Sequence, residues 1–130
     1  MMLLSRQYLD EFVALHSIAV VGVSANRSKF GNAIYLELKD RGKKVFAVNP
    51  KADTVEGDPC YPNLSSLPEK PEGVLLVIPP AATLEVIREA ASLGIERIWL
   101  QQGAESPEGE ALCAELGLKL VSGECIFMHD

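Results

Sequence analysis

The sequence predicts a Rossmann-like three-layer α/β sandwich, and three observations carry that prediction. Short apolar runs recur at residues 18–23, 45–48, 74–78 and 98–100, with a fifth at 118–121. Each is β-rich and largely free of charge, the composition of strands covered on both faces. Stretches of helical period separate them, and that alternation implies a parallel sheet with right-handed crossovers. The expected sheet has five parallel strands in the order 3-2-1-4-5, with helices on both faces.

The elements follow in chain order. An N-terminal helix over about residues 5–15 places Tyr8, Phe12 and Leu15 on one stripe. After the first strand, residues 32–41 set Ile34 and Leu38 on one face and end at Gly42, suited to a left-handed cap. Residues 53–71 are rich in proline and turn formers and read as turns with one short helix near 63–67. Residues 82–93 group Leu84, Ile87 and Ala91 and stop at Gly94. Ser106 and Pro107 supply an N-cap and a first-turn proline for a helix reaching Leu116 and closed by Gly117. No repeat, low-complexity stretch or linker interrupts residues 1–130, so one domain is expected.

Composition narrows the function classes. Hydrophobic residues make up 48% and charged residues 23%, which excludes disorder. Cys60, Cys113 and Cys125 form neither an even set nor a CxxC motif. Met1-Met2-Leu3-Leu4 lacks the basic stretch of a secretory leader, and no uncharged apolar run is long enough for a bilayer. Reduced thiols in a cytoplasmic setting are therefore expected. A net charge of −6 argues against general nucleic-acid or acidic-membrane binding. The charge is unevenly spread. Residues 27–51 hold seven basic groups (Arg27, Lys29, Lys39, Arg41, Lys43, Lys44, Lys51) against Glu37 and Asp40, a net of +5. The rest of the chain holds five basic and 16 acidic residues, a net of −11. Such an island suits a compact polyanion, or simply a solvated helix end.

Ligands of doubly wound sheets sit at the carboxyl ends of the strands, which singles out the loops at 24–31, 49–53, 79–80, 101–105 and 122–125. The first loop runs from Gly22 to Gly31. Its small, polar residues free backbone N–H groups for phosphate oxygens, and the following helix adds its positive dipole end. Arg27 and Lys29 offer charge-assisted hydrogen bonds, while Ser24 and Asn26 either bind a ligand or cap the turn. The loop lacks the Gly-Lys-Ser/Thr of a Walker motif, and GxGxxG is absent. The second strand ends in Asn49-Pro50, where NAD enzymes place an acid for the ribose. Asn49-Pro50 also reads as a strand-ending turn, and Pro79-Pro80 as a helix start. Trp99, Cys60 and Cys113 read as core residues.

The ordered set of motifs carries a family resemblance. It comprises Gly22-x-Ser24, Lys29, Val48-Asn49-Pro50, the stretch Gly57-x-x-Cys60-Tyr61-Pro62-Asn63-Leu64-x-x-Leu67-Pro68, Pro79-Pro80, Trp99-Leu100-Gln101-Gln102-Gly103, and the Cys125 segment with His129. Together they resemble the stand-alone CoA-binding domain family, which is similar to the CoA-binding N-terminal domain of the succinyl-CoA synthetase α subunit. The likeness runs from Ile18 to the C-terminus. It implies coenzyme A or acyl-CoA as bound ligand. It also implies a CoA-contacting first loop framed by Gly22 and Gly31, with Ser24, Ala25, Asn26 and Arg27 along it and Lys29 on a phosphate. Asn49 and Pro50 would lie beneath the adenosine, with Lys51 reaching a phosphate. Pro79 and Pro80 would form a rigid wall, and Gln101, Gln102 and Gly103 would meet the pantetheine end. Ile78 departs from the family, where a basic residue is common, and weakens one phosphate contact.

No complete catalytic set emerges. The two histidines are His16 and His129, and the C-x3-H spacing of Cys125 and His129 supplies too few ligands for zinc. The expectation is a non-catalytic CoA-binding module. Two other readings are a small NAD(P)- or nucleotide-linked enzyme and an interaction module with a vestigial pocket.

Overall fold

All five residues of strand β1 (Ser17–Val21) are buried, because helices cover the sheet on both sides. Side chains alternate across a strand. Ile18 and Val20 face a core shared with helices α1 (Met2–Val13) and α2 (Phe30–Asp40), through Phe12, Ile34 and Leu38. Ala19 and Val21 face a second core with α3 (Pro80–Ser92) and α4 (Pro107–Glu115), through Ile87, Ala90 and Leu112. Three layers follow directly from that alternation. The computed structural model describes residues 2–130.

The remaining strands are β2 (Lys44–Val48), β3 (Thr54–Val55), β4 (Asp58–Tyr61), β5 (Gly73–Leu76), β6 (Arg97–Gln101) and β7 (Lys119–Glu124). They form one seven-stranded sheet in the order β3-β4-β2-β1-β5-β6-β7, parallel except for the β3–β4 hairpin.

This order corrects the expectation of five strands arranged 3-2-1-4-5. The run at 74–78 does not lie outside the second strand. It pairs with β1, Val20 opposite Leu75, so the five expected strands stand as 2-1-3-4-5. The place beside β2 belongs to β4, from the segment read as turns. Counting β4 as the third parallel strand restores 3-2-1-4-5 and appends β7 as a sixth. The sequence Asp-Pro-Cys-Tyr hides this strand: proline has no N–H for a ladder and is tolerated near a sheet edge. β4 pairs with β2 at two positions, Ala47 with Cys60 and Val48 with Tyr61. Side chains supplement them: the Tyr35 hydroxyl donates to Asp58 Oδ2 at 2.7 Å, and Lys39 pairs with the same carboxylate.

Helix ends lie close to where the sequence places them. Ser106 Oγ accepts from the Gly109 N–H at 3.0 Å as the N-cap of α4. α2 starts two residues earlier than read, with Lys29 as its extended N-cap. The short helix near 63–67 is a 3-10 turn, Leu64–Ser66, whose Asn63 Oδ1 accepts from Ser66 N. Trp99 is fully buried against Phe12, ring centroids 5.3 Å apart. Among the described residues no helix is long and apolar enough to cross a membrane.

Candidate functional site

β1 and β5 are neighbours, yet the helices that follow them pack on opposite faces of the sheet. A crevice must open between their carboxyl ends. It is a cleft of about 990 Å³, at the upper end of the roughly 300–1,000 Å³ typical of ligand sites. Val21, Val48, Val77 and Ile78 give it an apolar lining where β1, β2 and β5 end. α3 contributes Glu85, Val86 and Glu89, and the turn after β4 contributes Asn63 and Leu64.

Two glycines permit this geometry. Gly22 has φ +106°, and a β carbon there would meet the Val77 carbonyl oxygen at 2.3 Å. A β carbon on Gly31 would meet the Gly22 carbonyl oxygen at 2.3 Å. The end of β1 is thus held against the segment after β5 on one side and the first turn of α2 on the other.

Polar side chains then fix the first loop. Ser24 Oγ accepts from Asn26 N at 3.0 Å, and Asn26 Oδ1 accepts from Ser28 N at 2.9 Å. Both side chains are thereby engaged in shaping the turn. Asn49 Nδ2 donates to the Val23 carbonyl at 2.7 Å, and its Oδ1 accepts from Lys51 N at 2.9 Å. An aspartate at 49 has no proton for Val23, so the amide is required where NAD sites use an acid.

The basic island resolves into two groups. Arg27 pairs with Glu56, Lys39 with Asp58, Arg41 with Glu37 and Lys44 with Glu69. Lys43 Nζ donates to the Val13 and Leu15 carbonyls at 2.6 Å each, and burial pushes its pKa down. Lys29 and Lys51 have no ion-pair or hydrogen-bond partner for their ammonium groups among the described residues. Both line the cleft.

Of the site residues read from sequence, Gly22, Lys29, Asn49, Pro50, Lys51 and Pro79 line the cleft together. Gly31 lies buried behind the loop, and Pro80 opens α3. Ser24, Ala25, Asn26 and Arg27 do not line it. Ile78 does, and its apolar side chain stands where the resemblance implied a basic residue. Gln101 is fully buried at the end of β6, the strand beside β5, and does not line the cleft. Its Oε1 accepts from Trp99 Nε1 at 3.2 Å and Ile126 N at 3.1 Å, and its Nε2 donates to Cys125 Sγ at 3.1 Å. Gln102 and Gly103 are exposed beyond it. The sequence reading missed Asn63, Leu64, Glu85 and Glu89, which only the β4 turn and the packing of α3 bring in.

The imidazole of His129 and the thiols of Cys60 and Cys113 do not line the cleft. His129 Nε2 hydrogen-bonds Glu124 Oε1 at 2.9 Å, next to Trp99. Burial pushes the Cys113 thiol up to about 11 and the Cys60 thiol upward as well, which keeps both protonated. No group of three or more metal-ligating side chains occurs among the described residues.

A family model described as a CoA binding domain matches residues 16–130. An ADP-forming acetate–CoA ligase of Archaeoglobus fulgidus is 31% identical over 121 residues, covering 85% of this chain and 18% of that protein. A second ligase of that organism is 33% identical over 72% of this chain and 14% of its own length. The chain therefore spans less than a fifth of these curated relatives. Among solved structures, a conserved hypothetical protein from Pyrococcus furiosus matches with TM-score 0.83 and 37% identity over 87% of this chain and 97% of that one. The apo dinucleotide-forming acetyl-coenzyme A synthetase 1 of Ca. Korarchaeum cryptofilum matches with TM-score 0.70 and 27% identity, over 86% of this chain and 27% of that one.

Proposed function

The chain belongs to the CoA-binding domain family, and from that membership we propose that it binds coenzyme A or an acyl-CoA in the cleft and performs no reaction on it. One observation carries the reading. Of the seven cations in the basic island, the two whose charge is not engaged within the fold, Lys29 and Lys51, line the same cleft. A ligand bearing several phosphates is the natural complement of that pair.

The residues present fit such a ligand. Lys29, Lys51 and the loop N–H groups at the start of α2 would hold phosphates. Asn49 and Pro50 shape the surface between them, and Val77, Ile78 and Val86 offer an apolar lining for adenine or the pantetheine arm. Glu85 and Glu89 repel anions from the α3 side, which directs the phosphates towards the lysines. An NAD site is disfavoured, because Asn49 is committed to Val23 and brings no acid to the ribose. A purely binding role is supported by the placement of His129 and the raised Cys60 and Cys113 thiols, none of which lines the cleft. The ligase relatives extend far beyond the part matched here. The P. furiosus protein, matched over 97% of its length, supports reading the domain as a unit used by itself.

Calorimetry with CoA, NAD and ATP tests the assignment. CoA is expected to bind most tightly, with affinity falling as salt rises because Lys29 and Lys51 are exposed. NAD binding more tightly than CoA overturns it.

A further inference from the structure

Glu56 occupies a position that few side chains tolerate. With Gly57 it forms the two-residue turn of the β3–β4 hairpin, and both have positive φ, 52° and 82°. Such turns favour Asn, Asp or Gly. Glu56 is the one non-glycine residue with positive φ among the described residues. Nothing in a solvated hairpin requires a glutamate there, so its side chain must supply what the backbone costs.

That side chain crosses to the first loop. Its carboxylate accepts Arg27 Nε at 3.1 and 3.2 Å and a further Arg27 guanidinium N–H at 2.9 Å. It also accepts Asn32 Nδ2 at 3.0 Å. Asn32 is 1% exposed, and the same amide nitrogen donates to the Ser24 carbonyl at 2.8 Å. The Glu56 side chain is 11% exposed, whereas that of Arg27 is 81% exposed. One partly enclosed carboxylate thus grips the loop at Arg27 directly and at Ser24 through Asn32. The Arg27 and Asn32 hydrogen bonds hold its carboxyl below the usual carboxylate range, so the grip persists at neutral pH.

We infer that Glu56 is a positioning residue, a strut that holds the loop from Ser24 to Lys29 in its binding shape, with Arg27 acting as tie and not as phosphate ligand. The inference rests on the CoA reading for its consequence but not for its geometry. Arg27 spends its charge and two N–H donors on Glu56, and Lys29, two residues on, is left facing the cleft. A loop ordered before the ligand arrives loses less entropy on binding.

The test uses Glu56→Gly, which keeps the positive-φ turn while removing the carboxylate. Arg27→Gln is the companion variant, leaving the turn untouched should the first fail to fold. Backbone ¹⁵N order parameters are measured on the ligand-free proteins. Both variants should lower the values at residues 24–29 from about 0.85 towards 0.6, with β1 and β2 unchanged. An unaltered loop overturns the strut. In calorimetry, each variant should bind CoA about tenfold more weakly than wild type. Tighter binding by Arg27's release in Glu56→Gly would instead make Glu56 a mask over a phosphate ligand and overturn the inference. Wild-type protein that binds no CoA sinks the functional reading alone, and the order parameters still decide the strut.

Discussion

The Gly22 carbonyl oxygen occupies the space that a side chain on Gly31 would need, 2.3 Å from an ideal β carbon. The end of β1 and the first turn of α2 meet there without a gap. Gly31→Ala must push the helix start away from the strand. Overpacking of this kind costs about 1–3 kcal/mol, read as a lower midpoint in urea denaturation. A change within ~0.5 kcal/mol would show the contact to be soft.

Gln101 is expected to belong to the core and not to the ligand. Gln101→Leu strands the Ile126 N–H and loosens Trp99 Nε1, which keeps its bond to the Glu124 carbonyl. The loss of stability should be about 1–3 kcal/mol by thermal or chemical denaturation. CoA affinity should stay within about twofold, because Gln101 shares no partner with the residues that line the cleft. A large loss of affinity with stability intact would return Gln101 to the binding site.

Acid stability should depend on Glu72. Its carboxylate accepts the Ser17 N–H at 3.1 Å and the His16 N–H at 2.7 Å, and these bonds lower its pKa. A group whose folded pKa is depressed adds stability above its unfolded value, about 4.3 for Glu, and loses it as pH falls through the folded value. Glu72→Gln should therefore show a shallower decline of melting temperature below about pH 5. Parallel acid limbs for the two proteins would remove Glu72 from the account.

The sequence revealed the elements whose signals are local. Ser106-Pro107 and the glycines at 42, 94 and 117 mark helix ends by their own chemistry, and five apolar runs mark five strands. Strand order depends on long-range pairing, and the four residues of β4, with Pro59 among them, carry no period that announces a strand. The site divides in the same way. Gly22, Lys29, Asn49 and Lys51 follow strand ends and were legible from that position alone. Glu85 and Glu89 sit on a helix whose apolar stripe says only that one face is buried. The Arg27–Glu56 pair spans 29 residues, and its one local hint is a glutamate beside Gly57 where turn formers are usual.

On the proposed function, CoA occupies the cleft between β1, β2 and β5, held by Lys29 and Lys51. Amide chemical-shift mapping during a CoA titration tests it most directly. Shifts should concentrate at Gly22, Lys29, Asn49, Lys51, Val77 and Ile78, with little change at His129 or along α1. Lys29→Glu should weaken the titration by about 1–3 kcal/mol, roughly 5- to 150-fold, while the shift pattern at saturation stays in the cleft. Shifts centred instead on Leu9, Leu120 and Ser122, which line a groove between α1 and β7, or no shifts at millimolar CoA, would rule out binding in the cleft.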